Sequence, residues 1–141
     1  MKKLELQDLL TSSGKYPERA KDPSLTMGIL KNGNILLDKV NALLEEMDVE
    51  SIIVNSGFRT AASNAATPNA SKKSNHLTLC AIDLHDPEQK LGKKIKLDYE
   101  ITKDQSVLVK YGLYMEDLSA TPTWCHLQFV VTKSGKHIFM P

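Results

Sequence analysis

Between residues 34 and 47 the apolar side chains fall on one stripe. Leu37, Val40, Leu44 and Met47 recur at three- and four-residue spacing, and Leu36 and Leu43 widen the band. That period belongs to a helix with one face to bury. Asn32 or Asn34 can cap its start, and Gly33 weakens any extension back through residues 26–31. Soon after it comes residues 51–55, SIIVN, a short β-branched run bounded by Asp48 and Gly57. It reads as a buried strand.

The rest of the chain is punctuated in the same way. Residues 4–10 suit a short helix that ends at Ser12-Ser13-Gly14, and residues 15–24 read as a surface loop. Residues 61–66 suit another short helix, and 67–74 a polar loop. Residues 77–84 carry a second apolar run and read as a strand. Residues 85–97 are charged and broken by Pro87 and Gly92, and read as loop. Residues 99–110 place Ile101, Val107, Leu108 and Tyr111 near one face, with Gly112 at the carboxyl end. Residues 113–115, 125–131 and 137–139 read as further strands. Helices and strands in mixed order with short connections predict an α+β fold with a small antiparallel sheet.

The 141 residues suit one domain, 1–141, which can bury a core without staples. Formal net charge is +1, without the basic excess of a sequence-independent nucleic-acid binder. Lys72-Lys73 and the lysines of residues 90–96 read as solvated loops. No window approaches the apolar length of a membrane span. The start, MKKLELQDLL, has lysines but no apolar run behind them, so no secretory signal is expected and synthesis should be cytoplasmic. The two cysteines, Cys80 and Cys125, are too few for a disulfide framework and lack the C-x-x-C spacing of thiolate zinc sites. They read as buried thiols.

Three segments carry the candidate chemistry: Ser56-Gly57-Phe58-Arg59-Thr60, then Ser74-Asn75-His76 with Ala81-Ile82-Asp83, then Trp124-Cys125-His126-Leu127-Gln128. His76 and Asp83 are too far apart to share one strand face. They converge if the chain turns after His76 and Asp83 lies on the next strand, with His126 arriving from a later one. Two imidazoles and a carboxylate form a three-ligand zinc set that leaves a fourth position open, as catalytic zinc requires. His85 and His137 are read as loop and turn residues outside the site. A cysteine hydrolase using Cys125 and His126 fails, because adjacent strand residues point to opposite faces.

These segments, in this order, resemble the D-alanyl-D-alanine carboxypeptidase and peptidoglycan endopeptidase family of zinc peptidases. That family shows Ser-Gly-Phe/Tyr-Arg after a strand, then Ser-x-His-x-x-Gly-x-Ala-x-Asp, then an aromatic-rich strand with the last histidine. The matches are Ser56, Gly57, Phe58 and Arg59; Ser74, His76, Ala81 and Asp83; and Trp124 and His126. Asn64 and Ser71-Lys72 also look like the family's linker. The resemblance spans residues 51–131. The amino-terminal loop and TPTWCHLQ are similar to bacteriophage-encoded members.

The resemblance implies the hedgehog-type fold of that family and one zinc held by His76, Asp83 and His126. It implies hydrolysis of peptidoglycan stem peptides, in a phage particle or lysis setting that acts on the bacterial wall; charge and hydropathy lead us to expect no nucleic-acid or membrane partner. It implies that Arg59 binds a substrate carboxylate or the oxyanion, the alternative being an internal ion pair. Ser74 either bonds a substrate carboxylate or shapes the turn.

Two positions depart from the family. Leu79 stands where the family has glycine, and Thr123 stands where it has the acidic general base. Threonine cannot take that role at neutral pH. Glu116, after a strand that could run beside that of His126, is the candidate base. The second reading is a degenerate peptidase fold that keeps its metal and serves as a binding or virion-structural protein.

Overall fold

The computed structural model describes residues 1–141. Helix α1 (Leu6–Thr11) comes first, then a 3-10 turn (Pro17–Lys21) inside the expected loop, then the long helix α2 (Met27–Glu46). Strand β1 (Val54–Ser56) leads to α3 (Ala61–Ala66), and β2 (Ala81–His85) to α4 (Lys90–Thr102). A 3-10 turn separates α4 from α5 (Val107–Lys110); β3 (Tyr114–Glu116), β4 (Trp124–Gln128) and β5 (Ile138–Phe139) complete the chain.

The five strands form one sheet in the order β1-β2-β4-β3-β5. The class is α+β, as expected. The sheet is antiparallel except for its last pair, where β5 runs parallel to β3. Alternation divides its faces. Ile82, Leu84, Cys125, Leu127 and Met115 are fully buried on one face. They join the buried stripe of α2, Leu36, Leu37, Val40, Leu43 and Leu44, in one apolar cluster. The other face carries Asp83, His126 and Glu116.

Several boundaries differ from the sequence expectation. Helix α2 starts at Met27 with Thr26 as its cap, whose Oγ1 accepts from Ile29 N at 3.2 Å. Gly33 lies inside it because a Cβ there would meet Leu79 Cδ2 at 2.5 Å. Residues 85–97 are not loop. His85 closes β2, and α4 begins at Lys90, so Lys90 to Lys96 stand on a helix. Pro87 precedes its first turn. The buried Asp86 carboxylate accepts from Leu91 N and Gly92 N at 3.2 and 2.8 Å, which supplies the missing cap. The single helix expected at 99–110 is two. Lys103 takes a left-handed φ of 51°, and Ser106 caps the restart by accepting from Val109 N. Strands β1, β2 and β4 are shorter than their apolar runs, since residues 51–53, 77–80 and 129–131 lie outside the ladder.

The amino-terminal segment pins β1. Ser13 Oγ accepts from Val54 N and Ser12 Oγ from Gly57 N, at 2.9 and 3.3 Å. Phe58 N donates to Leu9 O at 2.8 Å. The backbones come so close that a Cβ on Gly57 would lie 2.1 Å from Leu9 O. Main chain cannot swing aside as a side-chain tip can. Gly57→Ala should therefore destabilise the fold by about 3 kcal/mol, the upper range for overpacking, read as a lowered urea midpoint.

Candidate active site

The site is built along one row of the sheet. Ser56 pairs with Asp83, and Asp83 with His126. Met115 pairs with Leu127, so Glu116 stands one step on, beside His126, and Glu116 pairs with Phe139 on β5. All five strands thus place one residue in that row. His76 enters from the turn before β2. The chain does turn after His76, and Asp83 lies on the following strand.

The three predicted ligands come together. His76 Nε2 lies 3.2 Å from Asp83 Oδ2, and His126 Nδ1 lies 2.7 Å from Asp83 Oδ1. One donor atom from each residue falls within 4.8 Å of the others, and all three residues are buried. His76 Nδ1 is 2.8 Å from Gly57 O. A carbonyl only accepts, so Nδ1 donates to it and Nε2 is the nitrogen that faces Asp83. Two imidazole nitrogens and a carboxylate oxygen suit zinc, and a carbonyl holding the outer ring nitrogen is the usual support of a metal-bound histidine. The residues present therefore fit a zinc ion.

Charge follows the same geometry. Burial alone would raise the Asp83 carboxyl, but the two histidines outweigh it and hold it well below the usual carboxylate range. Burial disfavours charge on His126, yet its hydrogen bond and attraction to Asp83, with Glu116 and Gln128 adding, push it up from 6.5 to about 8. Cys125 lies on the core face, and burial pushes its thiol up. Cys80, also buried, accepts from Thr78 Oγ1 at 3.3 Å. Neither thiol belongs to the ligand group.

Arg59 follows β1. Its Nε donates to Ser56 Oγ at 3.1 Å, while Nη1 faces Asn64 Oδ1 and Nη2 faces Asp83 Oδ2, each at 3.5 Å. It thus contacts an internal carboxylate and lines the cleft at once. Asn64 ties this arrangement to the 67–75 loop by donating to Ser71 O at 2.8 Å. Ser74 shapes the turn, since its Oγ accepts from His76 N at 3.2 Å, and it also borders the cleft. Glu116 lies in the cleft with Oε1 3.9 Å from His126 Nε2.

The departures resolve differently. Leu79 takes the left-handed φ, 58°, that glycine adopts freely. For an L residue this costs about 1–2 kcal/mol. The side chain is fully buried against Gly33, which offsets that cost, and His76 still faces Asp83. Thr123 is exposed, its carbonyl accepts from Asp86 N, and it does not line the cleft. His85 is exposed at the end of β2. His137 is half-buried; it stacks on Tyr114 with ring centroids 4.4 Å apart, and its Nδ1 donates to Leu113 O.

The cleft holds about 950 Å³. One side is the polar 67–75 loop. The other is more apolar, with Trp124, Val130, Val131, Phe139 and Met140. Gln128 also borders it, and its Oε1 lies 2.9 Å from His126 Nε2. No role was read for Gln128 from sequence, although a residue two positions from His126 shares its strand face.

An open cleft over a buried His-Asp-His group with a neighbouring carboxylate is compatible with the site of a metallopeptidase. A family model described as Peptidase M15 matches residues 3–117, and the chain belongs to that family. Peptidases of this family are zinc-dependent. The match contains His76, Asp83, Arg59 and Glu116, and His126 lies beyond it. Nothing matches among curated proteins or among solved structures.

The raised His126 value fixes the sign of a pH effect. Its contribution is fully present below pH 6.5 and is lost as pH rises through about 8. The lowered Asp83 value stabilises above 3.8 and fails only in more acid solution. Metal-free protein should therefore lose thermal stability between pH 6.5 and about 8, followed as Tm. Over the same window zinc affinity should rise, because the proton that competes for His126 departs.

Proposed function

We propose that this protein is a zinc-dependent peptidase that hydrolyses a peptide bond in the stem peptides of peptidoglycan, either the terminal D-Ala-D-Ala bond or an internal one. One observation carries the reading: Glu116 stands 3.9 Å from His126 Nε2, in the cleft that also holds the His76, Asp83 and His126 group. His76, Asp83 and His126 would hold a zinc ion, which would supply Lewis acidity for attack of water on the scissile carbonyl. The Glu116 carboxylate accepts the proton of that water and returns it to the leaving amine.

Arg59 uses only part of its five-donor fork on Ser56, Asn64 and Asp83. The remainder binds a substrate carboxylate. Ser74 accepts from His76 N and keeps its own O–H to donate to the same group. Lys73 and Lys133 border the cleft alongside Arg59, against the carboxylates of Asp83 and Glu116. With the metal added the cleft is cationic and favours an acidic peptide. The KM for such a peptide should rise with ionic strength while kcat holds, because exposed charges are screened.

The likeness of the amino-terminal loop and TPTWCHLQ to phage-encoded peptidases supports a lysis or virion-associated setting at the bacterial wall. Thr123 at the family's base position favours the second reading, a metal-holding fold that binds without cleaving. Mass spectrometry of purified peptidoglycan after incubation with zinc-loaded protein separates the two. Stem-peptide fragments are expected, and their absence favours the binding reading. Glu116→Ala should lower the cleavage rate about 10²–10⁴-fold with zinc still bound. Normal turnover in that variant removes Glu116 as the base.

A further inference from the structure

We propose that Lys73 and Lys133 form a subsite for a second acidic group of the substrate, apart from the one taken by Arg59, so that stem peptides with a free glutamate carboxylate are preferred over those in which it is amidated. The inference rests on the peptidase reading of the cleft and adds a direction to it. The chain as a whole is close to neutral, at +1, but its charges are unevenly shared. The stretches that wall the cleft, residues 60–82 and 118–141, hold Lys72, Lys73, Lys133 and Lys136 and no aspartate or glutamate. Asp83 and Glu116, on the floor, are the acidic residues of the lining. The lysines held in ion pairs are Lys90 and Lys110, away from the cleft. All four wall lysines are exposed, and Lys73 and Lys133 line the cleft itself.

The fold brings these two lysines to one end of the cleft. Strands β2 and β4 finish their ladder at Ala81 and Gln128. Just past it Phe129 N donates to Cys80 O and Cys80 N to Asn75 O, at 3.2 and 2.9 Å. The segments of Lys73 and Lys133 therefore leave the sheet together, one into each wall. The opposite end is different. Trp124 pairs with His85 there. Strand β5 runs parallel to β3, so Met140 continues toward that end, and Ser119 Oγ lies 3.8 Å from Met140 Sδ. The same hydroxyl donates to Asp117, whose carboxylate repels a further anion. The His76, Asp83 and His126 group sits between a basic end and an uncharged, partly aromatic one. Such a field orients a peptide, with its acidic residue toward the lysines and an uncharged part against Trp124 and Met140. A carboxamide keeps the shape of a carboxylate and lacks its charge, so attraction to lysine separates the two.

The test compares two stem pentapeptides on zinc-loaded protein at low ionic strength, one with the glutamate carboxylate free and one with it amidated. If the protein cleaves them, KM is read; if it only binds them, calorimetry gives Kd. The native chain should favour the free acid about 10-fold. Lys73→Gln and Lys133→Gln should each lower that ratio about 3-fold, and the double variant should abolish the preference. Arginine at both positions should keep it. Lys72→Gln with Lys136→Gln removes as much charge from the same loops outside the lining, and should leave the ratio within about 2-fold of native. A native chain without preference, or a Lys73→Gln, Lys133→Gln double variant that keeps it, overturns the proposal. An equal loss in the Lys72, Lys136 control also overturns it, because a general field would then account for the preference. Binding without cleavage counts against the peptidase reading alone, and the Kd ratio still decides the lysines. Failure to bind either peptide overturns the subsite as well.

Discussion

A carboxylate buried within a sheet is the constraint that organises this molecule. Asp83 sits on β2, between β1 and β4, and only 8% of it reaches solvent. An isolated ion there would be very costly. Three nitrogen-bearing groups compensate: His76 from the preceding turn, His126 from β4 and Arg59 from the end of β1. These groups meet only when β1, β2 and β4 pair in that order and register. The candidate site is therefore assembled by the same event that closes the core.

What could be read from the sequence follows from which forces write a period. The stripe of α2 and the span of α3 were legible because a helix face repeats regularly. The ligand positions were legible because histidine and aspartate at those places have few equally good explanations together. Helix α4 was hidden. It buries only Leu91, Gly92 and Ile95, while Lys90, Lys93, Lys94 and Lys96 give it the look of a charged loop. Its cap, Asp86, acts across Pro87 from outside the helix, and no local motif announces that. The break between α4 and α5 was invisible because Ile101 falls in helical register with Leu108, although Ile101 proves exposed and Leu108 buried. Gln128 was passed over for a different reason. Its strand parity was readable, but a shared strand face does not by itself turn one side chain toward another, and the contact with the His126 ring shows only in the fold.

Leu79 and Gly33 show how a local rule can be broken without loss of the site. The left-handed turn after His76 calls for a glycine, and a leucine occupies it. The missing side chain is found across the interface, where Gly33 of α2 leaves room for Leu79. The position that needs freedom of backbone has been filled, and the position facing it has been emptied. The turn is then held by packing against the long helix rather than by its own conformational preference. His76 is presented to Asp83 from a more rigid support than a glycine would give.

The two-residue strand β5 divides the cleft into parts of unequal permanence. Asp83 and His126, at the floor, belong to strands whose opposite faces are fully buried. Phe139, which stands edge-on to His126 at 6.3 Å, belongs to a two-residue strand that pairs with β3 alone. Met140 beyond it is largely exposed. Local opening costs least where few buried contacts must break. The wall can therefore part and re-form while the ligand group stays assembled. Under the proposed function, passage of a peptide would be separated in the fold from the group that would hold the metal.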